Sequence, residues 1–153
     1  MNAPRRLLER RGFLRAGAVV FATVASGGCM SLFVTKRDPD VKLAAVSGAV
    51  RVPMSSAAWL RGGEGSLAVE IEGRDDKVLL FREQGGRILA VSMTCKHLGC
   101  DVGYDPARGR IVCPCHGTEY ANDGAVLKGP AKAPIAAFPV EVVGDDVVVS
   151  VGA

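Results

Sequence analysis

A chain of 153 residues has room for one compact domain and one appended segment. Its formal charge of +3 is unevenly placed: residues 1–37 hold Arg5, Arg6, Arg10, Arg11, Arg15, Lys36 and Arg37 against Glu9 alone, so residues 38–153 sum to −3. The body offers no obvious basic face, which excludes nucleic acid as a partner.

Residues 1–15 form a basic leader. Glu9-Arg10-Arg11-Gly12-Phe13-Leu14-Arg15 resembles a twin-arginine export signal, which ordinarily has Ser or Thr where Glu9 stands. A charge-free run of 19 residues follows, Ala16 to Val34. As a helix it is roughly 28 Å long, enough to cross a hydrocarbon core. The expectation over 16–34 is one helical membrane anchor with a positive flank. Other fates stay open. Ser26-Gly27-Gly28-Cys29 resembles a lipoprotein processing site with Cys29 as the acylated residue, and cleavage without acylation releases a soluble body. Cys29 also reads as a small buried residue of the helix.

Residues 35–40 carry two basic and two acidic residues with Pro39, a polar linker. From 41 to 153, short apolar stretches are broken by turn signals about every eight to twelve residues, which predicts an all-β domain. Leu67–Glu72 alternates apolar and acidic positions, as a half-exposed strand does. Gln84-Gly85-Gly86 marks a hairpin between Val78–Arg82 and Arg87–Met93. Asp105-Pro106 with Gly109 separates Val102–Tyr104 from Arg110–Cys113, and Asn122-Asp123-Gly124 turns the chain before Ala125–Leu127. A last hairpin joins Val140–Val143 to Val147–Val151. Ser55–Leu60 reads as a short helical turn, and Trp59 as ordinary core.

Four of the five cysteines fall between positions 95 and 115, with both histidines of the chain beside them. They form two boxes, Cys95-Lys96-His97-Leu98-Gly99-Cys100 and Cys113-Pro114-Cys115-His116-Gly117-Thr118-Glu119-Tyr120. Each supplies a thiol and an imidazole from a tight loop, with Gly99 and Gly117 letting the backbone bend around a compact centre and Pro114 stiffening the second loop. Two Cys and two His also suit a zinc ion, so the residues alone leave a metal-binding reading open.

These boxes resemble the paired motifs of Rieske iron–sulfur proteins, C-x-H-x-G-C and C-P-C-H-G-S/T-x-F/Y, over roughly residues 85–135. The resemblance implies an antiparallel β domain with a small cluster-binding subdomain at its tip. It implies one [2Fe–2S] cluster, with Cys95 and Cys113 as thiolate ligands of one iron and His97 and His116 as imidazole ligands of the other. The leftover Cys100 and Cys115 match the disulfide pair of the respiratory branch, and such a bond persists where exported proteins sit. Thr118 and Tyr120 match hydroxyl donors to cluster sulfurs, which place the potential toward the high end of the family range. Leu98 is expected to shield the cluster at a docking site, and Pro130, within Gly129-Pro130-Ala131, to lie in a loop covering it. Lys96 departs from the family pattern, which prefers a small or neutral residue.

The resemblance implies one-electron transfer without substrate chemistry by this chain alone. The expected role is the iron–sulfur subunit of a quinol–cytochrome c oxidoreductase, partnered by cytochrome b and cytochrome c type subunits with quinol, and anchored on the outer (periplasmic) face of a bacterial cytoplasmic membrane. The alternative is a relay subunit of an exported molybdenum enzyme, docked on a molybdopterin subunit, or a stand-alone anchored carrier. A folded, cluster-loaded protein suits a twin-arginine leader, because that route carries folded cargo.

Overall fold

The computed structural model describes residues 36–152. At its centre, β4 (Gly65–Ile71), β5 (Lys77–Arg82) and β6 (Ile88–Ser92) form an antiparallel meander, edged by β1 (Val41–Leu43) and β11 (Ala137–Phe138). A second sheet runs in the order β12 (Val140–Val143), β13 (Asp146–Ser150), β3 (Ala49–Pro53), β2 (Ala45–Val46). A third runs β10 (Val126–Lys128), β9 (Glu119–Tyr120), β8 (Arg110–Val112), β7 (Gly103–Asp105).

Successive side chains of a strand point to opposite faces, and the central sheet uses both. Leu67, Val69, Ile71, Val78 and Leu80 enter one core with Val50, Val52, Val147 and Val149 of the second sheet. Ala68, Leu79, Phe81 and Val91 enter the other, with Ile111, Tyr120 and the cysteines. A strand covered on both faces reads as an unbroken apolar run, as Val78-Leu79-Leu80-Phe81 does. The half-exposed reading of Leu67–Glu72 is corrected on the same ground. Leu67, Ala68, Val69 and Ile71 are all buried, and Glu70 emerges only where the strand end lets it pair with Lys42 of β1 at 2.6 Å.

The expected hairpins form, with β5–β6, β7–β8, β9–β10 and β12–β13 all antiparallel. One pair departs from an antiparallel domain: β1 runs parallel to β4, Val41 opposite Val69. The helical turn at Ser55–Leu60 resolves into two 3-10 turns, Met54–Ser56 and Ala58–Leu60. Trp59 packs at the edge of the aliphatic core, so close over Gly65 that a Cβ there would sit 2.4 Å from its ring.

Residues 36–40 are not a free linker. The Arg37 amide donates to Asp101 Oδ2 at 2.7 Å, and Asp40 Oδ2 accepts the Ala68 amide at 2.7 Å. The Arg37 guanidinium turns back on Asp40 at 2.7 Å. The basic leader 1–15, the anchor 16–34 and Cys29 lie outside the described residues. Among the described residues no helix is long and apolar enough to cross a membrane.

Candidate metal centre

The two boxes fold into matching loops. Cys95 N–H donates to the Cys100 carbonyl (2.8 Å) and Gly99 N–H to the Cys95 carbonyl (2.9 Å). Cys113 N–H donates to the Thr118 carbonyl (2.8 Å) and Gly117 N–H to the Cys113 carbonyl (3.1 Å). Both loops close at the same offsets, and both need a left-handed residue at the fifth position: Gly99 has φ +76° and Gly117 φ +70°. A Cβ at either glycine meets nothing within 4 Å, so the requirement is conformational rather than steric.

Cys100 and Cys115 are joined in a disulfide that ties one loop to the other. Their sulfurs lie within 4.8 Å of Cys113 Sγ, yet a disulfide sulfur carries no thiolate charge to offer a metal. That leaves Cys95 and Cys113, both free and each 2% exposed. The rings of His97 and His116 meet edge to face, 4.7 Å between centroids. His97 is half-buried and His116 exposed. His97 Nδ1 is buried with no hydrogen-bond partner. Buried ring nitrogens ordinarily find a partner, and an orphaned one two residues from a free thiol is open to a metal. The residues therefore fit a centre with mixed sulfur and nitrogen donors.

The surroundings act on the thiols. Tyr120 Oη lies 3.3 Å from Cys95 Sγ and accepts the Lys96 amide at 3.1 Å. With Oη taking that N–H, its own proton is free to be donated to the sulfur. Burial pushes the Cys95 thiol up, but hydrogen bonds from Tyr120, the His97 amide, Cys113 and Thr118 outweigh it and leave the thiol below its ordinary value. For Cys113 burial prevails over the Cys115 and His116 amides, and the thiol lies above its ordinary value. The Tyr120 hydroxyl is raised, by burial first and by the bond to Cys95 second.

Thr118 is fully buried, and its Oγ1 accepts the Ala131 amide at 3.2 Å. The segment Gly129-Pro130-Ala131 is thereby held against the second loop, with Ala131 in the core beside the cysteines and Pro130 exposed. Leu98 is 41% exposed on the first loop, a large apolar side chain left in solvent. Sequence reasoning missed Asp101. Only its position directly after Cys100 hinted at it, yet its carboxylate is 4% exposed and pairs with Lys77 at 2.5 Å.

Paired thiols and imidazoles, a disulfide clamping their loops, and a tyrosine hydroxyl bonded to a thiol sulfur fit the class of iron–sulfur electron carriers, in which hydrogen bonds to sulfur tune the potential. The Rieske [2Fe-2S] domain model matches residues 51–139, over half of the chain. The chain belongs to the Rieske family, whose cofactor is one [2Fe–2S] cluster and whose work is electron transfer. It is 34% identical over 146 residues to the cytochrome b6-f complex iron-sulfur subunit of Chlorobaculum tepidum, covering 94% of this chain and 76% of that one. The subunit of the same name from Prochlorococcus marinus is 34% identical over 102 residues, and the match spans only 56% of its length. Among solved structures, the plasma membrane Rieske protein PetC3 of Synechocystis superposes with TM-score 0.51 at 38% identity, over 60% of this chain and 91% of that one.

Proposed function

We propose that Cys95, His97, Cys113 and His116 are the four cluster ligands, and that the chain serves as the iron–sulfur subunit of a membrane quinol–cytochrome c oxidoreductase. The observation that carries the ligand assignment is the buried, unpartnered His97 Nδ1 in the same loop as the free thiol Cys95, whose sulfur the His97 amide bonds. The relatives named as cytochrome b6-f subunits support the role. The bound cluster supplies a one-electron acceptor with a potential between about −150 and +300 mV, since two neutral imidazoles replace two thiolates.

The protein's own groups then divide the work. Cys95 and Cys113 lie deep in the core, away from water, while the exposed His116 ring can take a proton from quinol at its outer nitrogen and release it to solvent. Tyr120 and Thr118 place hydroxyl protons near Cys95, which favours the reduced centre. Leu98 and Pro130, exposed on two neighbouring loops, offer an apolar rim for a docked cytochrome b type subunit, with a cytochrome c type subunit as electron acceptor. The twin-arginine-like leader and the apolar run 16–34 support a domain on the outer face of the membrane, held by an anchor or by acylated Cys29.

A second reading, a stand-alone anchored carrier or a relay to a molybdopterin subunit, is favoured by one observation. The plasma membrane Rieske protein of Synechocystis, 38% identical over 60% of this chain, carries a name that mentions no complex. Electron paramagnetic resonance of the reduced protein in its purified membrane assembly tests both readings. The expected result is a Rieske-type signal with acid-labile sulfide and co-purifying cytochrome b. A molybdopterin subunit, or no partner, decides for the second reading. One tetrahedral zinc without labile sulfide overturns the ligand assignment.

A further inference from the structure

We propose that Asp101 is a positioning and charge-setting residue of the electron-transfer centre, and that the incoming segment Lys36–Arg37 completes it. The inference rests on the ligand assignment above. Asp101 follows Cys100, and its backbone bridges to Thr94 across the neck of the first loop. Its side chain is 4% exposed and meets three donors: Lys77 Nζ at 2.5 Å, Lys36 Nζ at 3.3 Å and the Arg37 amide at 2.7 Å. Lys77, itself 14% exposed, also donates to the Arg37 carbonyl. The N-terminal segment is therefore fastened to the neck of the loop that bears Cys95 and His97.

The electrostatics follow from that placement. Burial pushes the Asp101 carboxyl up, but Lys77, the Arg37 amide and Lys36 hold it below the usual range, so the group is ionised at neutral pH. Cys100, its chain neighbour, has its sulfur within 4.8 Å of Cys113 Sγ. A buried charge one residue from that sulfur is screened less than a surface one. Reduction of the centre adds one negative charge. An uncompensated Asp101 opposes it, and the lysines relieve that opposition. Seating the segment at 36–37 thus raises the potential.

The test is the reduction potential of the full chain with its cluster, compared among substitutions that act in opposite directions. Lys36 is 53% exposed, so Lys36→Met is expected to fold and to lower the potential, and Lys36→Arg to restore it. Asp101→Asn is expected to raise it. Lys42→Met removes a similarly exposed cation paired with Glu70 instead, and is expected to leave the potential in place. General loosening of the loop cannot produce shifts of opposite sign. Equal shifts in Lys36→Met and Lys42→Met, or shifts of one sign in Lys36→Met and Asp101→Asn, overturn the proposal while the ligand assignment stands. A chain without labile sulfide or Rieske-type signal overturns both.

Discussion

On one face of the central sheet the fully buried side chains are aliphatic: Val50, Val52, Leu67, Val69, Ile71, Val78, Leu80, Val147 and Val149 fill the space between β3, β4, β5 and β13. On the other face the same strands set Leu79 and Phe81 against Cys95, Cys100, Cys113, Met93 and Tyr120. The first core is held by non-directional burial, which fixes volume and little else. The second interior is made partly of groups with chemistry of their own, so it needs directional ties: one disulfide, two matched loop closures, and hydroxyls bonded to Cys95 and the Ala131 amide. A small β domain thus separates what stabilises it from what it does, with one sheet belonging to both.

The sharpest break of that separation is at Cys113. Cys113→Ser is expected to abolish the cluster, read as complete loss of the reduced-state resonance and visible absorption, while far-ultraviolet circular dichroism keeps its β signature. Collapse of both signals together would mean that the aliphatic core does not stand without the tip.

Substitution on the other face inverts the pattern. Leu80 is fully buried in the aliphatic core, and Leu80→Ala is expected to cost about 2–5 kcal/mol of stability. Denaturant unfolding measures this, and the reduction potential of the folded fraction is expected to stay in place. Removing the tie between the loops comes next. Cys100→Ser with Cys115→Ser opens a closure of sequence separation 15, worth about 3 kcal/mol in the chain-entropy account. Its mark is faster amide exchange at Gly99 and Gly117, with β3 and β13 unchanged.

Tyr120→Phe asks for less: it deletes one donor to Cys95 Sγ and leaves the Lys96 amide without its acceptor. The potential is expected to fall by some tens of millivolts, since only the strengthening of that bond on reduction enters the potential, a fraction of the about 1.5–3 kcal/mol that a hydrogen bond to a charged group is worth. Voltammetry reads the sign directly. The smallest effect is on stability against pH at the seam of the two regions. The folded Asp101 carboxyl lies below its unfolded value, because Lys77, the Arg37 amide and Lys36 outweigh burial. Its contribution is therefore complete above the unfolded carboxylate range, near pH 4, and is lost as pH falls through the folded value. Unfolding midpoints followed from about pH 6 down to pH 3 should drop more steeply in the natural protein than in Asp101→Asn.

Much of this was legible beforehand, for physical reasons that can be named. The hairpins at Gln84-Gly85-Gly86 and Gly144-Asp145-Asp146 were readable because turn chemistry is local. The two boxes were readable because thiols, imidazoles and left-handed glycines are needed at short fixed offsets within one loop. The burial of β4 on both faces was not readable, since Glu70 and Glu72 imitate a solvent-facing alternation and only the layer above shows otherwise. The grip of Lys36 and Arg37 on Asp101 spans more than sixty positions of chain, beyond any local pattern.

From the order of its residues alone, this protein is committed to short strands, to two matched loops and to the thiols and imidazoles they present, because each depends on neighbours a few positions away. The tertiary structure decided which face of the central sheet those loops would cover, that Cys100 would meet Cys115, and that Asp101 would be closed off by cations from β5 and from the entering chain. Those outcomes depend on distant surfaces being brought together, and the free energy that selects them is shared by the whole fold rather than carried by any one segment.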